Sequence, residues 1–287
     1  KRFPKPGETL HINQAQKEFG GGKGANQAIA ASRLAADTTF ISKVGKDGNA
    51  NFILEDFKKA GIHTQYILTS ESEETGQAFI TVDEAGQNTI LVYGGANMTL
   101  SATDVEMSAD AFIGADFVVA QLEVPFEAIE QAFKIARKQN ITTVLNPAPA
   151  IELPKSLLEL TDIIIPNETE AELLTGISIN NESDMKETAT YFLDLGISAV
   201  LITLGEQGTY CAYQEQYKMI PACNVKAIDT TAAGDTFIGA FLSELNKDLS
   251  NIESAIRLAN QASSLTVQRK GAQASIPTRK EVEAEYN

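Results

Sequence analysis

Phe117-Val118-Val119, Thr143-Val144-Leu145, Ile163-Ile164-Ile165 and Val200-Leu201-Ile202 are four short runs that are almost wholly apolar. A strand with one wet face alternates apolar and polar residues, whereas a strand buried on both faces reads as an unbroken apolar run. The runs fall in candidate strands at 116–121, 142–145, 162–165 and 198–203, with helical periodicity between and around them at 125–139, 168–175 and 182–195. That βαβα order predicts an α/β domain: a doubly wound, mostly parallel sheet flanked by helices on both faces.

Working outward, an Ala-rich helix is expected at 24–36, a strand at 38–44 and a helix at 47–59. Two stretches break the alternation. Residues 76–93 read as an antiparallel hairpin turning at Glu84-Ala85-Gly86-Gln87, and 8–19 read as extended. Together they would form a small β-sheet lid over one edge of the domain. The last third reads as helical, at 233–246, 250–268 and 278–286. With no linker, repeat or low-complexity run, residues 1–287 are expected to form one domain.

The chain has 287 residues, 43% hydrophobic and 21% charged, which suits a soluble protein with a sizeable core. Its formal net charge of −15 excludes a nucleic-acid binder, which needs a basic face to displace counterions, and disfavours anionic membranes. An anionic ligand would have to be met by local positive potential from helix N-termini, backbone amides, one or two basic side chains and a divalent metal. Cys211 and Cys223 lie in no CxxC pair and near no His, so they read as buried thiols in a cytoplasmic protein and not as a zinc site. No run of about 18 apolar residues is present to span a membrane, and no signal peptide is recognised. The chain opens Lys-Arg-Phe-Pro-Lys-Pro-Gly without Met, and is read as a fragment whose first residues are missing.

The parallel-sheet expectation directs attention to the residues just after each strand, because ligands of open α/β sheets sit at the carboxyl ends of the strands. Asp229-Thr230-Thr231-Ala232-Ala233-Gly234-Asp235-Thr236-Phe237 is the most informative stretch. Its small residues admit a ligand to the backbone, and the free N–H groups at the start of the apolar helix favour negative charge. Asp235 in that first turn places a carboxylate beside an anion site. The arrangement has a purpose if the carboxylate takes a proton from an attacking hydroxyl; otherwise Asp235 merely caps the helix. Gly20-Gly21-Gly22-Lys23-Gly24-Ala25-Asn26 opens the helix at 24–36. It lacks the GxxxxGK[ST] spacing of a Walker A loop, but Lys23 and Asn26 supply donors suited to sugar hydroxyls; a turn capped by Asn26 accounts for it equally well.

Three further segments end strands. In Pro166-Asn167-Glu168-Thr169-Glu170, Asn167 is placed to cap a helix and Glu170 to hold hydrated Mg²⁺. Thr203-Leu204-Gly205-Glu206-Gln207-Gly208 suits a loop lying against a nucleotide, or a plain turn. Glu123 closes an apolar strand in Gln121-Leu122-Glu123, where a charge is costly unless partnered, so binding of hydroxyls is a natural use.

These segments, in this order, resemble the ribokinase-like (PfkB-type) carbohydrate kinase family. The resemblance rests on GGKGAN (21–26), QLE (121–123), NPAPA (146–150), PNETEAELLTG (166–176), VLITLG (200–205), DTTAAGDTF (229–237) and RKGAQASIP (269–277), and spans nearly the whole chain. GGKGAN together with NPAPA and RKGAQ looks more like the ribose-phosphorylating branch than like fructokinases or adenosine kinases.

The resemblance implies ATP-dependent phosphorylation of D-ribose to D-ribose 5-phosphate. Asp235 would be the catalytic base, with an anion hole from the amides of Ala232, Ala233, Gly234 and Asp235. Gly22, Lys23, Gly24, Ala25, Asn26 and Glu123 would bind ribose. Asn167, Thr203, Leu204, Gly205, Glu206, Gln207, Gly208, Gly234 and Asn260 would line the ATP site, and Glu170 would act on Mg²⁺. A monovalent cation, K⁺, would be held by Asp229, Thr231, Thr266, Arg269, Gly271 and Ser275. The lid would carry a homodimer contact.

Two departures from the family pattern stand out. The first strand, with its Asn-x-Asp sugar motif, is missing ahead of Phe3, and Asn260 replaces the His that some members place at the adenine. Another sugar or nucleoside kinase of the same fold, such as a fructokinase, and a non-catalytic sugar- or nucleotide-binding protein are the competing readings. A Ser or Cys hydrolase has only His11 and His63 for a base and no GxSxG elbow.

Overall fold

The computed structural model describes residues 3–5, 7–11, 20–82 and 88–286. Its centre is a six-stranded sheet built from β5 (Phe117–Ala120), β6 (Thr142–Leu145), β7 (Ile163–Ile164), β8 (Ala199–Thr203), β9 (Thr209–Tyr213) and β10 (Gln216–Ile220), in the order β10-β9-β8-β7-β6-β5. Strands β5 to β8 are parallel; β9 and β10 are antiparallel additions. All four strands expected from the apolar runs are present and paired as neighbours.

Helices cover both faces, and the side chains of the strands alternate between them. Val144, Ile163 and Leu201 point to a core shared with α8 (Ala233–Glu244) and α9 (Ile252–Val267), through Phe237, Phe241 and Ile256. Leu145, Ile164, Val200 and Ile202 point the other way, to Phe133 of α4 (Phe126–Lys138), Leu157 of the short α5 (Lys155–Leu158), and Met185 and Phe192 of α7 (Glu182–Asp194). The period-two geometry of a strand thus turns each continuous apolar run into two half-cores. α6 (Glu168–Thr175) completes the alternation, and α10 (Arg279–Tyr286) lies against α9 through a Ser264–Tyr286 hydroxyl contact of 2.6 Å.

Ahead of this sheet come α1 (Lys23–Arg33), β1 (Ser42–Gly45), α2 (Gly48–Lys59) and β2 (Ile67–Ser70), with β1 and β2 forming a separate parallel pair. Next are β3 (Gln77–Val82) and β4 (Asn88–Tyr93), which pair antiparallel as expected, and α3 (Ala102–Met107). The expected turn at 84–87 lies outside the described residues, as do 12–19 of the expected extended stretch; residues 8–11 join no strand.

The β9–β10 hairpin was not expected from the sequence. Its turn is Gln214-Glu215, both with positive φ (49° and 61°), where such a turn ordinarily announces itself with Asn or Gly. Nor was β2, which has four residues and no alternation. Among the described residues no helix is long and apolar enough to cross a membrane.

Two features position the site. First, α1 packs directly on α8. A Cβ on Gly239 would lie 2.4 Å from the Ala30 Cβ and 2.6 Å from the Gln27 carbonyl oxygen, so the helices touch backbone to backbone. Second, β5 ends the sheet, and beside it lies a cavity of about 580 Å³ lined by Ala25 and Ala28 of α1, Phe40, Phe117 and Val119 of β5, and Leu242 of α8.

Because the α1–α8 contact leaves no space at Gly239, Gly239→Ala should lower unfolding free energy by about 1–3 kcal/mol, the usual range for overpacking, despite the better helix propensity of Ala. Urea denaturation of the two proteins reads this directly; an unchanged midpoint would mean that the helices can separate freely.

Candidate active site

α8 begins where the chain passes through Ala232, a non-glycine residue in the left-handed region (φ 61°) with no side-chain cap. The first helical hydrogen bond is donated by the Thr236 N–H to the Ala232 carbonyl. The N–H groups of Gly234 and Asp235 precede it, at the positive end of the helix. The Ala233 N–H instead reaches the Thr230 carbonyl at 3.2 Å, so within the expected anion hole it is already engaged. Gly234 carries no neighbour within 4 Å of where a Cβ would be, so the space in front of this turn is open. The Ser263 hydroxyl donates to the Ala233 carbonyl at 2.9 Å and ties the turn to α9.

Asp235 points from this turn toward α1 and is only 9% exposed. Its Oδ2 accepts from the Asn26 amide at 2.8 Å and its Oδ1 from the Gln27 amide at 3.0 Å. Burial raises the carboxyl's pKa above the usual Asp value; the two amide donors and the nearby Lys23 charge pull it back only in part. Among the described residues no ion pair neutralises it, and each oxygen retains acceptor capacity for a substrate hydroxyl.

Helix α1 starts at Lys23 because Gly22, at φ 86°, reverses the chain, and it lacks a side-chain cap of its own. Glu123, from the segment after β5, supplies one: its Oε2 accepts the Lys23 N–H at 2.7 Å. Burial raises the Glu123 pKa, and the Asp235 charge adds to this against the help of Lys23. Gly24 and Ala25 form the first turn of α1, and Asn26 follows with its Oδ1 buried and unpartnered. A buried acceptor without a donor is uncommon and marks a place where a hydroxyl would be welcome.

Asn167 and Glu170 form a capping box on α6. The Glu170 N–H donates to Asn167 Oδ1 at 2.8 Å, and the Asn167 N–H donates to Glu170 Oε2 at 2.9 Å. Burial raises the Glu170 pKa; Lys23 lowers it and Asp235 raises it further, which places all three acidic groups in one electrostatic neighbourhood around Lys23. Asn167 bridges to Thr203, bringing the ends of β7 and β8 together.

The 203–208 loop closes on itself, with Leu204 N–H to the Gly208 carbonyl at 2.8 Å. Gly205 (φ 54°) has open space where a Cβ would point, which suits a ligand-facing turn. Gly208 does not: a Cβ there would meet the Ile220 carbonyl at 2.2 Å, so that glycine serves the packing of 220–222. Asn260 belongs to the same packing. Its amide donates to the Ile220 and Pro221 carbonyls at 3.2 and 3.1 Å and accepts from the Thr209 hydroxyl at 3.2 Å, which commits both amide hydrogens within the protein.

The segments expected to hold K⁺ are also brought together. Asp229 accepts from the Thr231 N–H and hydroxyl at 3.0 and 2.7 Å and from the Gly271 N–H at 3.0 Å. Burial opposes its ionisation, but these donors outweigh it and hold the carboxyl below its ordinary pKa. The carbonyls of Thr231, Arg269 and Gly271 accept no backbone hydrogen bond among the described residues. Thr266 is committed internally, its carbonyl to Arg269 N–H and its hydroxyl to Thr236. Ser275 is fully buried, its hydroxyl on the Ala272 carbonyl.

Sequence reasoning gave no role to Gln27, Asn146 or Gln121. Gln27 sits buried in an Ala-rich helix beside Asn26, and Asn146 and Gln121 directly follow apolar strands. An amide on an otherwise apolar helix face, and amides at the carboxyl ends of parallel strands, are the signals that point to them.

Comparison with known proteins gives a consistent picture. A ribokinase of Staphylococcus aureus is 64% identical over 281 residues, covering 98% of this chain and 92% of that protein. A ribokinase of Haemophilus influenzae is 45% identical over 97% of this chain and 90% of its own length. The structure of Arabidopsis thaliana ribokinase complexed with ribose and ATP superposes with a TM-score of 0.89 at 33% identity, covering 99% of this chain and 92% of that one. The family model for pfkB carbohydrate kinases matches residues 2–279, which takes in α1, the whole six-stranded sheet and the Asp235 turn, and on this evidence the chain belongs to the pfkB family of carbohydrate kinases.

Proposed function

We propose that this chain is a ribokinase that transfers the γ-phosphoryl group of ATP to the 5-hydroxyl of D-ribose. One observation carries the reading: a buried carboxylate, Asp235, held by neutral amides and not by a cation, next to the unengaged N–H group of Gly234 at a helix start. The relatives support it with the same activity in their names.

The pentose hydroxyl attacks phosphorus in line with the departing ADP oxygen. The new O–P bond forms as the P–O bond to ADP breaks, and the hydroxyl proton passes to Asp235. A raised pKa makes Asp235 a better proton acceptor than an exposed aspartate, provided it is ionised at working pH. The Gly234 and Asp235 N–H groups face the charge on the migrating group. Asn26, with its unpartnered oxygen, Lys23 and Glu123 with its remaining oxygen bind the sugar. The open turn at Gly205, with Asn167 beside it, takes the nucleotide. Asn260 contributes by holding 220–221 under that loop and not through its amide hydrogens.

Magnesium entering with ATP would neutralise phosphate charge, and Glu170, buried but with one oxygen outside the capping box, is the acidic side chain placed to hold its hydration shell. The oxygen-rich loops 229–231 and 269–275 fit a monovalent cation, with Asp229 ordering them and the Thr231, Arg269 and Gly271 carbonyls as ligands.

The hairpin β3–β4 exposes apolar side chains on both of its faces: Phe79 opposite Leu91, and Ile80 opposite Ile90. A lone hairpin is marginal in water and such a patch calls for cover. A second copy of the chain, paired through this lid, provides it. Free Cys211 and Cys223 accord with a cytoplasmic enzyme.

ADP formation with D-ribose and MgATP, set against fructose and nucleosides, tests the assignment; turnover with another acceptor and not with ribose would overturn it. Asp235→Asn should retain ATP binding and lose at least about 10²-fold in kcat, the lower end for a general base; near-normal turnover would remove Asp235 from the chemistry. Replacing K⁺ by Na⁺ should lower activity, and indifference to the cation would refute the loop assignment. Phe79→Lys should shift the sedimentation profile from dimer to monomer; an unaltered dimer would place the contact elsewhere.

A further inference from the structure

We propose that Asn146 and Gln27 form a directional amide relay that holds Asp235 as the proton acceptor, with Gln27 as the positioning residue and Oδ2 as the oxygen that receives the proton. The inference rests on the reading of Asp235 as the general base.

The direction of the relay is set by a main-chain atom. The Ile165 carbonyl can only accept, and the Asn146 amide donates to it at 3.0 Å. That fixes Asn146 with its Oδ1 toward Gln27, where it accepts from Gln27 Nε2 at 3.1 Å. The other hydrogen on the same nitrogen goes to Asp235 Oδ1 at 3.0 Å. Gln27 Oε1 is matched in turn by a donor, the Gln121 amide. A flipped Gln27 would set oxygen against oxygen at both Asn146 and Asp235, which are buried with it, and NH₂ against NH₂ at the half-buried Gln121. Oδ1 of Asp235 therefore always meets a donor.

The second donor differs. Asn26 also reaches Asp235, at Oδ2, but its own oxygen is buried with no partner, so nothing apart from the ionised carboxylate itself locks its orientation. Of the two carboxylate oxygens, Oδ2 is thus the one whose partner can adjust as a proton arrives. The other charged groups facing Asp235 are Lys23 on α1, Glu123 after β5 and Glu170 on α6. Lys23 favours the ionised carboxylate and the two glutamates oppose it, so a neutral donor that cannot turn away has a clear use.

Gln27→Met keeps the length and removes the donor; Asn146→Leu leaves Asp235 untouched but removes one of the three partners that orient Gln27, so that its amide is held less firmly on Asp235. Both should raise the Asp235 pKa, because each withdraws or loosens a donor to the charged form. For Gln27→Met the acid limb of kcat/KM should move up by about 1–2 pH units, from the worth of a hydrogen bond to a charged group, with KM for ATP unchanged. Asn146→Leu should move it less, in the same direction. The carboxyl band in infrared difference spectra of the ligand-free protein, assigned with Asp235→Asn, should titrate upward in parallel. A purely structural role would lower stability without moving either limb or band. If Gln27→Met fails to fold, Asn146→Leu decides alone: an unmoved carboxyl titration overturns the relay. The infrared measurement needs no turnover, so an absence of ribose-dependent ADP formation in the wild type would refute the functional reading and leave the relay to be judged separately.

Discussion

The burial of one carboxylate organises this molecule. Asp235 lies at the start of α8, where the helix end favours negative charge, but it is turned inward against α1, where water cannot solvate it. An isolated ionised carboxylate in such a place would take up a proton instead. Here the loss of water is offset in part by two amides that arrive from adjacent positions of α1, Asn26 and Gln27. For both to reach the carboxylate, α1 and α8 must touch at the backbone, and Gly239 permits that approach. The helix contact, the small residues of α1 and the buried amides are thus one device.

That device lies beside the carboxyl ends of a parallel sheet. Asn146 follows β6, Gln121 and Glu123 follow β5, and Asn167 follows β7. Strands of this kind have no polar face, so their polar residues gather where the strands stop and the helices begin. The three acidic groups near Lys23 accumulate there for the same reason. Two of them have structural work alongside any ligand: Glu123 caps α1 and Glu170 closes a capping box on α6. Reading such residues as either structural or functional is a false choice, since one carboxylate oxygen serves the helix and the other remains for a ligand.

Much of this was legible in the chain itself. The four apolar runs announced the parallel strands because burial on both faces leaves a pattern no other strand has. The Asn167 cap and the Asp235 turn were legible because helix starts have local chemistry. The β9–β10 hairpin was not, since Gln214 and Glu215 adopt positive φ without the residues that usually signal it. Asn260 and Gly208 are expected at the nucleotide because of the loop after a strand, and the fold adds a task no local pattern signals: both secure the chain at 220–222. Local sequence cannot distinguish an amide that faces a ligand from one that faces a distant carbonyl.

The sequence by itself determined the α/β class, the strands of the parallel core and the carboxylate at the start of α8, because periodicity and helix-end chemistry are encoded over a few residues. Tertiary structure alone decided which amides meet that carboxylate, since the partners are far apart along the chain. It also decided the direction in which Gln27 presents its hydrogens, which depends on a carbonyl of β7's end that no local pattern connects to α1. Hydrogen-bond polarity passes from group to group through space, and only the folded chain brings those groups within reach of one another.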